Sequence, residues 1–242
     1  RWIPELEAEA LPLQRIFLAE KWLVARIHYG HVDPREAGVG NIVNCGAAMY
    51  MAPVGLVDAA HPAAAYAEAL VAACLSLAKD GTREAIERVC EEASRHSDFE
   101  SALGPLRRAV APYDTVGPDY RSPSLGARRP SRLHAIEELP VALGMVVVAG
   151  GDFRHAVLGA VNYGRDCDSI ATMAGAVTGA LGSPVPEDWA KTVAEASRLD
   201  LWEPAVTLTG VAREVFARDV RRRRAHERAF AELAGGAPEC SD

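Results

Sequence analysis

The chain has 242 residues, 49% hydrophobic and 24% charged, a balance that supplies a folded core and excludes an intrinsically disordered chain. Its 26 basic side chains against 33 acidic ones leave a net charge of −7, which argues against binding nucleic acid through its phosphates. No run of about 18 apolar residues is present to cross a membrane.

Five scattered cysteines, Cys45, Cys74, Cys90, Cys167 and Cys240, form no C-x-x-C pair, so small apolar side chains in a reduced, cytoplasmic compartment are expected. The opening Arg1-Trp2-Ile3-Pro4-Glu5 has neither an initiator Met nor an apolar leader, and the expectation is a processed chain or one shown without its beginning. The length suits a single domain over residues 1–242.

In chain order, residues 13–29 place Ile16, Ala19, Leu23 and Ile27 on one helical stripe. An Ala-rich helix is expected over 61–79, opened by His61-Pro62, and another from the cap residue Thr82 to about Ser97. Gly117-Pro118, Ser122-Pro123 and Arg129-Pro130 predict a long loop over about 112–130. Helices are then expected at about 133–148, 153–162, 169–181, 187–198 and 204–234. Alternating strand patterns and hairpin dipeptides are absent, so the fold class is all-α. The seven histidines show no metal-ligand spacing and read as surface or capping groups. Arg221-Arg222-Arg223-Arg224 is interrupted by acids on either side and reads as a solvated helix face. Trp2, Trp22, Trp189 and Trp202 read as buried or partly buried.

The stretch Val161-Asn-Tyr-Gly-Arg-Asp-Cys-Asp-Ser-Ile170 carries the most chemistry. Asp166, Asp168 and Ser169 put two carboxylates and a hydroxyl within four residues. On a continuous helix, residues two apart point roughly 200° away from each other, but in a turn after Gly164 they can converge. Two readings stay open: capping of the following helix, which spacing alone favours, or oxygen ligation of a hard divalent cation such as Mg²⁺. Downstream, Ala171, Gly175 and Gly179 recur every four residues. Glycine costs about 1 kcal/mol inside a helix, so the pattern predicts a deeply buried helix with a smooth face, aiming its acidic N-terminus into a central site.

The run N-Y-G-R-D-C-D-S-I-A-x-x-A-G-A resembles the C-terminal metal motif of the ADP-ribosylglycohydrolase family, whose usual form is G-G-D-T-D-[ST]-I-x-x-x-x-G-A. Arg165 stands for the second glycine and Cys167 for the threonine. Asn44-Cys-Gly-Ala-Ala-Met-Tyr-Met-Ala-Pro-Val-Gly55 is similar to the family's S-N-G-A-x-M-R-x-x-P-x-G, with Cys45 and Tyr50 in place of Asn and Arg. Glu137-Glu138-Leu139-Pro140 is a third, weaker match, and the resemblance spans roughly residues 38–210.

It implies an all-α globule with a central cleft, two Mg²⁺ ions, and ADP-ribose or an ADP-ribosylated protein as partner. Asp166, Asp168 and Ser169 would be metal ligands. Gly46, Ala47 and Met49 would line the ribose and diphosphate pocket, with Gly40, Asn41, Asn44, Asn162 and Gly164 as further substrate-binding positions. The family's opening G-D-x-x-G and [ST]-D-D-T are missing, since the chain has no Asp-Asp dipeptide. Either they lie, with the general acid or base, in sequence omitted ahead of Arg1, which is the expectation, or the chain is a truncated homologue with half a metal site. The implied reaction is Mg²⁺-dependent hydrolysis of the glycosidic bond between ADP-ribose and a protein side chain or small molecule. The alternatives are a ribosyl N-glycosidase acting on another nucleotide-derived substrate, and a non-catalytic ADP-ribose-binding homologue. No nucleic acid or membrane partner is implied, and nothing in the sequence indicates an oligomeric state.

Overall fold

The structure, a computed structural model, describes residues 24–34, 36, 37, 45–49, 57, 82–113 and 134–235. They contain no strand, in agreement with the all-α expectation. The chain divides into two compact units, residues 1–43 with 118–132 and residues 44–117 with 133–242. In the first, the last turn of the expected 13–29 helix is a π-helical turn, Ala25–Tyr29, and Arg26 Nη2 donates to the Glu36 carbonyl at 3.2 Å.

The second unit holds eight described α-helices: α1 (Gly46–Met49), α2 (Thr82–Ala93), α3 (Phe99–Val110), α4 (His134–Val148), α5 (Phe153–Tyr163), α6 (Cys167–Ala180), α7 (Glu187–Ser197) and α8 (Trp202–Gly235). A 3₁₀ turn, Ala111–Tyr113, follows α3. The rest of the expected 13–29 helix, the 61–79 helix and all but the first residues of the expected loop lie outside the described residues.

Helix α4 is the axis of the unit. Apart from Glu137 and Glu138 its sequence after the first turn is apolar, the pattern of a helix packed within protein, and Ile136, Leu139, Val141, Ala142, Met145 and Val148 are all buried. Helices α2, α3, α5 and α6 pack around it, and α1 packs on α6. α7 and α8 have no buried residue.

Helix α3 occupies a stretch to which the sequence pattern assigns no element. Pro105 in its middle reads as a breaker, but the apolar face of Ala102, Leu106, Ala109 and Val110 is buried and outweighs that penalty. Trp202 departs from its expected burial, being 78% exposed at the start of α8, whereas Trp189 lies under the Arg154 guanidinium at 4.9 Å. The Arg221–Arg224 run is exposed throughout, as expected.

The glycine periodicity of α6 is corrected. The helix is buried, but through Ile170, Met173, Ala174, Val177 and Thr178. Gly179 is exposed and a Cβ there would meet nothing within 4 Å. Gly175 does approach α5 closely, a Cβ there lying 3.4 Å from Phe153 and Val157, and with Ala171 it lines an apolar cavity of about 420 Å³. A tighter helix approach is elsewhere: a Cβ on Gly144 of α4 would lie 2.8 Å from Val89 Cγ1 of α2. Val89 is fully buried and stiff at χ1, so it cannot swing aside.

We expect Gly144→Ala to destabilise the protein by about 1–3 kcal/mol through overpacking, despite alanine's better helix propensity, measured as a lower urea midpoint at unchanged slope. Asp98, which caps α3, is a second test. The Ser101 amide and hydroxyl hold its carboxyl below the usual carboxylate value. Its stabilisation is thus present above the ordinary value and lost as pH falls through the lowered one. Asp98→Ala lowers the melting temperature at neutral pH, and the gap to the parent closes in acid.

Candidate active site

Three described helices begin after an aspartate, and they use it differently. Asp98 accepts from the Ser101 amide at 2.8 Å, and Asp152 from the His155 amide at 2.8 Å. Both are ordinary N-caps. Asp166 occupies the same position ahead of α6, yet its side chain makes no cap hydrogen bond. Its carboxyl turns instead toward Glu138 of α4, within 4.8 Å of it, with Asp168 and Ser169 beside it.

The local backbone permits this turn. Gly164 ends α5 at φ +76°, and Arg165 follows at φ +56°. Two successive residues in left-handed territory reverse the chain between α5 and α6 within three residues. Glycine adopts such a φ freely, whereas arginine does so at a cost of about 1–2 kcal/mol.

One oxygen each from Glu138 and Asp166 and the Cys45 sulfur lie within 4.8 Å of one another. They come from three separate places in the chain: the residue before α1, the first turns of α4, and the start of α6. Glu138 and Cys45 are buried at 0% and 2% exposure. Burial first, then the hydrogen bond and charge of Glu138, push the Asp166 carboxyl above its usual value, with Asp168 and Ser169 pulling the other way. Burial, and then Glu138, raise the Cys45 thiol, so it stays protonated.

Behind the cluster is a second network. Glu137, 3% exposed, accepts the Tyr163 hydroxyl at 3.0 Å and Arg165 Nη1 at 2.7 Å on one oxygen, Oε1. Burial and the adjacent Glu137 charge raise the Tyr163 phenol, keeping it a donor. The Arg107 guanidinium of α3 donates to the Tyr163 carbonyl and lies 5.2 Å above its ring.

The positions singled out from sequence fall as follows. Asp166 and buried Ser169 meet at the cluster, and Asp168 stands exposed beside them. Gly46 is buried and opens α1, whose Met49 amide bonds the Cys45 carbonyl at 3.0 Å. Ala47 and partly exposed Met49 follow in the same turn. Asn162 is exposed and its amide donates back to the Leu158 carbonyl at 2.8 Å. Gly164 forms the corner just described, while Gly40, Asn41 and Asn44 lie outside the described residues.

Sequence reading missed Glu138 and Cys45 as members of the cluster, and Glu137, Tyr163 and Arg107 as its support. Two adjacent carboxylates in an otherwise apolar helix were the available signal, because buried acids require partners.

Residues 1–225 match the ADP-ribosylglycohydrolase family. The chain belongs to that family. Among curated relatives, an uncharacterised protein of Archaeoglobus fulgidus is 29% identical over 162 residues, 60% of this chain and 52% of that protein. The ADP-ribosylarginine hydrolase Tri1 of Pseudomonas putida is 27% identical over 183 residues, 72% of this chain and 47% of its own length. The chain thus spans about half the length of these relatives. No solved structure matches it.

The direction of the Asp166 shift is testable. A carboxyl raised in the folded state favours folding in acid, and that contribution falls as pH rises from the ordinary value of 3.8 through the raised one. In EDTA, we expect urea-derived stability of the parent to decline over that window, and Asp166→Asn, which cannot ionise, to decline less.

Proposed function

We propose that the cluster is the centre of a Mg²⁺-dependent glycohydrolase, which releases ADP-ribose from a modified protein side chain or small molecule. The observation that carries this reading is the Asp166 carboxyl, which stands at a helix N-cap yet caps nothing and turns into a group of acids. Family membership supplies the chemistry that such a group serves.

The donor set fits a hard divalent ion. Glu138, Asp166 and Asp168 offer carboxylate oxygens and Ser169 a neutral one, the ligands that Mg²⁺ takes. The Cys45 thiol, kept protonated, is a wall of the site and not a donor, since thiolates suit softer metals. Held by Glu138, Asp166, Asp168 and Ser169, a Mg²⁺ ion would supply positive charge to orient ribose hydroxyls and to acidify water.

The chain's own contribution is placement. Asp166 and the fully buried Glu138 place two carboxyl groups side by side, where attraction to a cation is stronger than in open water. Exposed Asp168 stands at the opening. α1 packs on α6, which supports assigning the backbone of Gly46, Ala47 and Met49 to the ribose and diphosphate. Cleavage of the C1″ bond develops oxocarbenium character on the ribose. Water adds at C1″ and its proton leaves with the departing nitrogen or oxygen. Holding the ribose fixed removes much of the entropic barrier. The free cysteines Cys45, Cys90 and Cys167 accord with a cytoplasmic setting.

The test is release of free ADP-ribose from arginine-linked and serine-linked peptides by the full protein, in Mg²⁺ and in EDTA. We expect Mg²⁺-dependent release, reduced at least about a hundredfold in an Asp166→Ala, Asp168→Ala double variant, since a catalytic cation contributes several kcal/mol. Binding of ADP-ribose without release would reassign the protein as a reader of the modification. Neither release nor binding would overturn the site.

Glu138→Gln provides a separate check. Removing one of the crowded charges raises the melting temperature in EDTA, and it abolishes the increase that a saturating divalent cation gives the parent. The stabilisation behind that increase is about 2.7 kcal/mol at a hundredfold excess over Kd.

A further inference from the structure

The function proposed above assigns no task to Arg165, and the backbone makes its presence costly. At φ +56° it occupies a conformation that favours glycine. It sits one residue before Asp166, and its guanidinium reaches across to Glu137, one residue before Glu138.

We propose that Arg165 is a positioning residue, and that its ion pair with Glu137 sets the separation of the Asp166 and Glu138 carboxylates. The pair adds a direct side-chain link between the α5–α6 corner and α4, at the residues immediately beside the two acids. Glu137 is 4% exposed and Arg165 33% on their side chains, so the bond is shielded from the water and salt that weaken surface pairs. Tyr163 donates to the same Glu137 oxygen, and Arg107 grips the Tyr163 carbonyl from α3. The corner is therefore held at Tyr163 and at Arg165, with little freedom to rotate between them. A glycine at 165 would relieve the backbone but leave the corner tied to Glu137 through Tyr163 alone, on the far side of Gly164 from Asp166. The positive charge stays one residue away from the cluster, so it steadies the acids without neutralising them.

The test separates positioning from stability. In an Arg165→Gly, Glu137→Gln double variant both the strained side chain and the buried charge are gone, so a purely structural role predicts an unchanged or higher melting temperature and unchanged ligand binding. We expect that melting temperature, with Mn²⁺ affinity lowered about tenfold, the effect typical of losing a group that orients a metal ligand. Affinity is read from the electron paramagnetic resonance signal of free Mn²⁺. Arg165→Lys, which keeps a cation at the corner, restores most of it, whereas Arg165→Met does not.

The cation readout rests on the proposed site, so a second readout is independent of it. Cys45 lies inside the cluster, and its alkylation by iodoacetamide in the native state, located by peptide mass, reports how firmly the cluster is held. We expect alkylation at least about fivefold faster in Arg165→Met, with Arg165→Lys close to the parent. A parent that binds no Mn²⁺ overturns the cation reading, and the alkylation rates then decide the clamp alone. Alkylation and Mn²⁺ affinity both within twofold of the parent in Arg165→Met would overturn the clamp, as would equal losses in Arg165→Met and Arg165→Lys.

Discussion

Helix α4 carries two adjacent carboxylates into the interior, and the architecture around it answers the problem they pose. A buried carboxylate without partners costs several kcal/mol, so elements must converge on Glu137 and Glu138 for the axis to exist. The two are solved by opposite means. Glu137 takes a cation and a phenol, Arg165 and Tyr163, and becomes part of the frame. Glu138 is set among Cys45 and Asp166, groups that are themselves acidic. The first arrangement stabilises the fold, and the second stores unfavourable electrostatics at one point.

That crowding is the observation on which the proposed site rests. Asp98 and Asp152 show what the same side chain does when only helix stability is at stake: it bonds the amide three residues on, and its carboxyl is lowered. Asp166 forgoes that bond, and its carboxyl is raised. Perturbed acids gathered from distant segments are where function concentrates. The ADP-ribosylglycohydrolase family supplies the chemistry to which such an arrangement is suited.

Much was legible in the chain. The 3.6-residue periodicity located α2 and α4–α8 to within a few residues, because each has either a continuous apolar stripe or a clear cap. The D-C-D-S run identified the corner ahead of α6. Helix α3 was not legible, since Pro105 interrupts the pattern locally while its stability comes from burying Leu106 and its neighbours. The spacing of Gly175 and Gly179 suggested a close helix contact, yet only Gly175 has one, and the tighter contacts are at Gly144 and Gly159, which no periodicity marks.

What the sequence determined by itself is the all-α class and the family, both of which depend on residues close together in the chain. Whether Asp166 caps a helix or faces another acid could not be read there, because both uses require the same residue at the same position. The tertiary structure decides it through contacts of long sequence separation. Glu138 and Cys45 meet Asp166 only once α1, α4 and α6 are packed, and the left-handed turn at Gly164 and Arg165 gains its meaning from Glu137, 28 residues away. Local spacing encodes which groups are available, and burial encodes which of them must face one another.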